Sequence, residues 1–184
     1  MDKNDTSRPR LSDEQRTAAL EGIRLSDRLV VVDSAKALSS DPASGGALMA
    51  LLERETREEN RKGILYALSW HSSLNTWDLM LQILSDEREA PAVRGQAAEG
   101  ITYLFRSQDP KSLAFKEAIE VLSAAARDPS PEVRYCAAHA MGASGHLPLI
   151  PVLHGMLRDH AKVPGWVGTV ADEASRAIKW LEMG

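Results

Sequence analysis

The chain has 184 residues, 43% of them apolar and 26% charged, with a net charge of −4. This length allows one domain with a real core, and the balance is that of an ordinary soluble protein. An acidic total gives no electrostatic reason to approach nucleic acid or an anionic bilayer, so a polyanion-binding role is set aside.

No apolar run reaches the roughly 20 residues that a membrane span needs. Residues 1–10 are polar and charged, unlike a signal peptide or a transit helix, and are read as a disordered tail. Residues 11–184 then form a single repeat domain. Cys136 is the one cysteine, which rules out an intramolecular disulfide and fits a reducing, cytoplasmic setting. Two Phe and nine Pro argue against a β-sandwich, whereas long Ala/Leu/Glu/Arg stretches argue for helices.

In chain order, Ser12…Gln15 is a capping-box pattern that opens a first helix, and Asp41-Pro42 separates two helices. Leu48, Leu51 and Leu52 form an apolar stripe, and Thr56…Glu59 reads as a second capping box. Asn75 and Ser112 are candidate N-caps. Trp77, Met80, Leu81 and Leu84 make the next stripe, followed by Ile119, Leu122 and Ala126, then Ile150, Leu153 and Leu157. Asp109-Pro110 and Asp128-Pro129-Ser130-Pro131 are breaks between helices.

One pattern recurs between these stripes. Val93-Arg94-Gly95-Gln96-Ala97-Ala98 and Val133-Arg134-Tyr135-Cys136-Ala137-Ala138 both read Val-Arg-x-x-Ala-Ala, each followed by a small-apolar pair. Val170 to Ile178 keeps the pattern with Ala171 in place of Arg, Asn60 to Leu68 keeps Arg61 and Ala67-Leu68, and Ala37-Leu38 ends a fainter copy. Counted from the small-apolar pairs, the steps are 30, 33, 40 and 37 residues. Small residues three and four apart share a helix face and let neighbouring helices approach closely.

The segment from Asp128 to Gly142, followed by Leu149-Ile150-Pro151-Val152-Leu153, resembles the HEAT repeat of the type named after phycobilisome lyases. The resemblance implies an all-α solenoid of about five helical hairpins. It also implies a ladder in which a pre-helix Asp faces the Arg at the helix start, with Asp128 and Arg134 as one rung and Asp86 and Arg94 as another. The final copy, with Ala171 and without a following helix after Trp180, reads as a terminal cap or as an end awaiting a partner.

Chemistry-bearing residues form no catalytic constellation. His139, His146, His154 and His160 lack metal-ligand spacing, and the His-Glu dipeptide of di-iron HEAT-like hydroxylases does not occur. No metal and no cofactor is expected. Cys136 replaces an Ala-sized residue and reads as a buried, inert thiol. Gly45-Gly46 lacks the Lys-Ser/Thr of a phosphate loop. Trp70, Trp77, Trp166 and Trp180 lack the basic surroundings of HEAT-like DNA glycosylases, and read as core or as anchors for a partner.

The expectation is therefore a non-catalytic scaffold or adaptor that binds protein. An immunity or antitoxin protein, plugging a toxin with its concave face, is one form of it. A bilin lyase or chaperone-like relative is the alternative, and a DNA glycosylase the remote one. Taking the concave face to be lined by the second helix after each Val-Arg pattern, the expected partner-binding residues are Asp78, Gln82, Lys116, Glu120, His154 and Arg158.

Overall fold

A computed structural model describes residues 10–183. Ten α-helices follow one another, and among the described residues the only strand-like pairing is an isolated antiparallel bridge between Lys162 and Thr169. The fold is an all-α solenoid of helical hairpins. The chain divides into two compact units, one up to Thr76 and one from Trp77 onward.

The first unit contains α1 (Asp13–Gly22), α2 (Arg28–Ser40), α3 (Gly45–Arg54) and α4 (Glu58–Ser69). The Ser12 capping box is complete: Gln15 N donates to Ser12 Oγ at 3.1 Å, and Ser12 N donates to Gln15 Oε1 at 2.9 Å. Helix α1 pairs with α2 and α3 with α4, while α2 and α4 stack. Gly63 makes part of this approach possible, since a Cβ there would stand 2.9 Å from the Ile23 carbonyl oxygen.

The expected capping box at Thr56 does not form. Helix α4 begins at Glu58 after Arg57, without a side-chain cap. The buried carboxylate of Glu55 holds the turn before the helix, accepting the backbone N–H groups of Thr56 and Arg57 at 3.0 Å each. It also accepts Asn60 Nδ2 at 2.7 Å and Arg24 Nε at 3.0 Å, so one side chain ties α4 to the end of α1. Burial pushes this carboxyl up, but the bonds from Arg57, Asn60, Arg24 and Thr56 outweigh it and hold the pKa at about 2.

A depressed carboxylate stabilises the fold above its unfolded pKa and loses that contribution as pH falls through the folded value. Glu55→Gln is thus expected to cost about 1.5–3 kcal/mol at neutral pH, the range for hydrogen bonds to a charged group. The gap from wild type should close between about pH 4.5 and about pH 2. Chemical denaturation of both proteins across that range checks it; a gap that stays constant would show that the charge of Glu55 is not what holds the turn.

The second unit contains α5 (Trp77–Ser85), α6 (Pro91–Leu104), α7 (Leu113–Ala125), α8 (Pro131–Ala143), α9 (Ile150–Met156) and α10 (Val170–Met183). Ser112 caps α7 as expected, its Oγ accepting Phe115 N at 3.1 Å. Ala97, Ala98, Gly100, Ala137, Ala138, Ala140, Ala174 and Ala177 are all buried. They let α6, α8 and α10 stack directly on one another. The tightest point is Gly142, where a Cβ would meet Ala177 Cα at 2.9 Å and Ala177 Cβ at 3.0 Å.

Two features of the repeat differ from the sequence reading. The hairpins are α5–α6, α7–α8 and α9–α10, so each Val-Arg helix is the second member of its hairpin rather than the first. Helix α10 accordingly pairs with α9 as the second member of its hairpin. The ladder also runs forward by one repeat. Arg94, itself buried, donates from both Nη atoms to Asp128, and Arg134 Nε donates to Asp159 at 2.6 Å. Asp86 pairs instead with neighbouring Arg88 at 2.8 Å. Each Asp meanwhile accepts a backbone N–H two residues on, from Arg88, Ser130 and Ala161 respectively, so it is already oriented for its arginine.

Candidate recognition surface

The second unit has two layers of helices. In one, α6, α8 and α10 lie in close contact; in the other, α5 and α7 touch less and α7 and α9 hardly at all. The Val-Arg helices therefore form the tightly stacked layer of this unit.

The expected residues Asp78 and Gln82 on α5, Lys116 and Glu120 on α7, and His154 on α9 with Arg158 just beyond it are all exposed. They stand on the other, more widely spaced layer. Glu99 is half-buried on α6 and accepts Gln96 Nε2 at 3.2 Å and Tyr103 Oη at 3.3 Å.

The closely packed layer ends in a recess of about 380 Å³ lined by Tyr135 and His139 of α8, Gly165, Trp166 and Val167 of the connection, and Glu173, Arg176 and Trp180 of α10. Its floor is Glu173, only 4% exposed. His139 Nδ1 lies 2.8 Å from Glu173 Oε1, and Arg176 Nε donates to Glu173 Oε2 at 2.8 Å. Burial pushes the Glu173 carboxyl up, but the bonds to His139 and Arg176 outweigh it and hold the pKa below the usual range. Tyr135 is pushed up to about 12, by burial first and then by the charge of Glu173.

The same groups fasten the connection. Arg176 Nη2 donates to Tyr135 Oη at 2.7 Å and to the Val167 carbonyl at 3.0 Å, and Tyr135 Oη donates to that carbonyl at 3.1 Å. Gly165 and Gly168, at φ 83° and 91°, supply the left-handed backbone that the loop needs. Trp166 packs on Tyr135 with ring centroids 5.1 Å apart, and Trp180 on His139 at 5.8 Å. Val167 and Trp180 remain 79% and 48% exposed, so a built loop and a helix end together present apolar surface.

Of the residues weighed from sequence, Trp77 is core, His146 packs edge-on against Phe115, and Cys136 is buried. His139, Trp166 and Trp180 converge, whereas His154 and His160 do not join them. Tyr135, Glu173 and Arg176 were not singled out. The readable signal was the Glu-x-x-Arg pair at 173 and 176, one helical turn apart below a glycine-flanked tryptophan. Among the described residues no three of His, Cys, Asp or Glu are grouped to hold a metal, and no helix is long and apolar enough to cross a membrane.

Stacked helical hairpins define an α-solenoid repeat protein. Residues 77–164 match the family model of HEAT repeats, which supports a HEAT-repeat protein. That match is to the repeat at large and does not specify the phycobilisome-lyase type. No curated protein matches the chain.

Proposed function

We propose that this protein is a non-catalytic scaffold or adaptor that binds another protein through the close-packed layer of its second unit. The observation that carries this is the half-exposed Trp180 beside the fastened loop of Trp166 and Val167. Binding energy at protein interfaces concentrates in aromatic and arginine anchors, and here Tyr135, Trp166, Trp180 and Arg176 form one cluster. An immunity or antitoxin protein is the finer form of this reading, supported by small size and net acidity. The mixed charges of Asp78, Gln82, Lys116, Glu120, His154 and Arg158 make the opposite layer a second proposed contact surface.

Affinity capture from the source cell with three baits tests the proposal. Trp180→Ala is expected to lose the captured partner, while Asp78→Lys with Glu120→Lys, both on exposed positions, leaves the fold unchanged and the partner bound. Retention by Trp180→Ala and loss by the charge reversals would move the contact to the outer layer. If wild type captures nothing but shifts the visible absorption of a bilin, the alternative lyase or chaperone-like role is the better reading.

A further inference from the structure

In the first unit the end of α4 is fastened to the turn between α2 and α3 through one histidine. Ser72 N donates to the Ser39 carbonyl at 3.0 Å, and Leu74 lies so close to Gly45 that a Cβ there would stand 2.9 Å from Leu74 Cδ1. His71, only 6% exposed, sits at this junction with both ring nitrogens engaged. Ser73 N lies 3.2 Å from Nδ1, and since a backbone N–H can only donate, Nδ1 carries no proton. Nε2 lies 3.1 Å from the buried Ser44 Oγ. That hydroxyl gives its one proton to the carbonyls of Leu38 and Asp41, at 2.6 and 2.9 Å, so it accepts from Nε2–H. The network uses one ring proton and has no place for a second, because a proton on Nδ1 would point at the Ser73 N–H.

We propose that His71 is an acid-sensitive latch: the neutral ring shuts the end of α4 onto the α2–α3 turn, and a second ring proton opens that corner. The charged groups facing it are the buried Asp41 carboxylate and Arg16 of α1, whose Nε donates to Asp41 at 2.7 Å and which also pairs with Asp13. The last turns of α2 and α4 and the first turn of α3 carry no charged side chain. Burial disfavours the charged ring and outweighs the carbonyl and carboxylate of Asp41, so His71 is held below the usual histidine range. The unfolded chain takes up a ring proton below about 6.5, so the latch is complete above that pH and is lost as pH falls. The other four histidines lie in the second unit, Glu55 titrates at about 2, and carboxylates ordinarily titrate near 4. His71 is thus the side chain of the first unit placed to change charge between about pH 7 and pH 5. The proposal goes beyond the protein-binding reading and does not depend on it, since that reading rests on the second unit.

Hydrogen exchange on the full chain from about pH 7.5 to about pH 5 tests the latch, with rates corrected for the intrinsic pH dependence of amide exchange. Protection of residues 38–45 and 70–75 is expected to hold level down to about pH 6.5 and then to fall by up to about tenfold per unit. His71→Asn leaves an acceptor for the Ser73 N–H with nothing to titrate, so its protection should stay level over the whole range. Should that variant fold poorly, NMR of the imidazole nitrogens in wild type gives a second reading. His71 should be the Nε2–H tautomer and should titrate below the exposed His154 and His160. Wild-type protection that ignores pH, the same fall in His71→Asn, an Nδ1–H tautomer, or titration together with His154 and His160 would each overturn the proposal.

Discussion

Arg94→Ala is expected to be the most damaging single change in the ladder, costing about 3–5 kcal/mol, the range for removing one partner of a buried ion pair. The reason is burial: the Arg94 and Asp128 side chains are 7% and 9% exposed, and truncation leaves the carboxylate out of water without its cation. The next rung, Arg134 with Asp159, is 19% and 24% exposed, and Arg134 also donates to the carbonyls of Asp128 and Pro129. Arg134→Ala should therefore cost less. The Arg88–Asp86 pair, 91% and 36% exposed, should contribute no more than about 1 kcal/mol. Asp128 Oδ1 also accepts Ser130 N at 2.8 Å, so Arg94→Met with Asp128→Asn keeps that turn while removing both charges. This double variant should recover much of the loss. Thermal melts would show the order directly, with Arg94→Ala lowering Tm by roughly 6–20 °C. Equal effects at positions 94 and 88 would reject burial as the basis of the ladder's strength.

Trp77→Ala should cost about as much, roughly 3–5 kcal/mol, for a different reason. Trp77 is only 1% exposed and begins a chain of edge-on rings: its centroid is 5.2 Å from Phe105, which is 5.5 Å from Phe115, itself 5.7 Å from His146. These groups come from α5, the turn after α6, the start of α7 and the turn before α9, so the stack joins successive hairpins away from the small-residue layer. Removing the indole leaves a cavity and takes from Phe105 one of its two ring partners, whereas Trp77→Phe keeps an edge-on contact and should cost less. Urea unfolding followed by far-UV circular dichroism should show a lower midpoint with an unchanged slope. A midpoint within error of wild type would place Trp77 outside the core.

The sequence by itself determined the helical class, the repeat and the buried small residues, because these follow from local spacing. Val-Arg-x-x-Ala-Ala at 93–98 and 133–138 puts alanines on one helix face whatever that face meets. Ser12 and Ser112 could be read as caps for the same reason, since a cap and its target N–H lie three residues apart. Thr56 misled, because the helix starts one residue later, after Arg57, and the turn before it is held by Glu55, whose carboxylate also pairs with Arg24, 31 residues away. The hairpin frame could not be read either, since every helix is followed by another at similar loop length and only packing decides which two pair. The ladder's direction depends on that choice. The recess belongs wholly to the tertiary structure. Tyr135 and Arg176, 41 residues apart, meet on one loop carbonyl, and Glu173 becomes a buried, doubly bonded floor only when α10 lies against α8. No spacing along the chain encodes such a meeting, because long-range contacts are selected by how the layers stack.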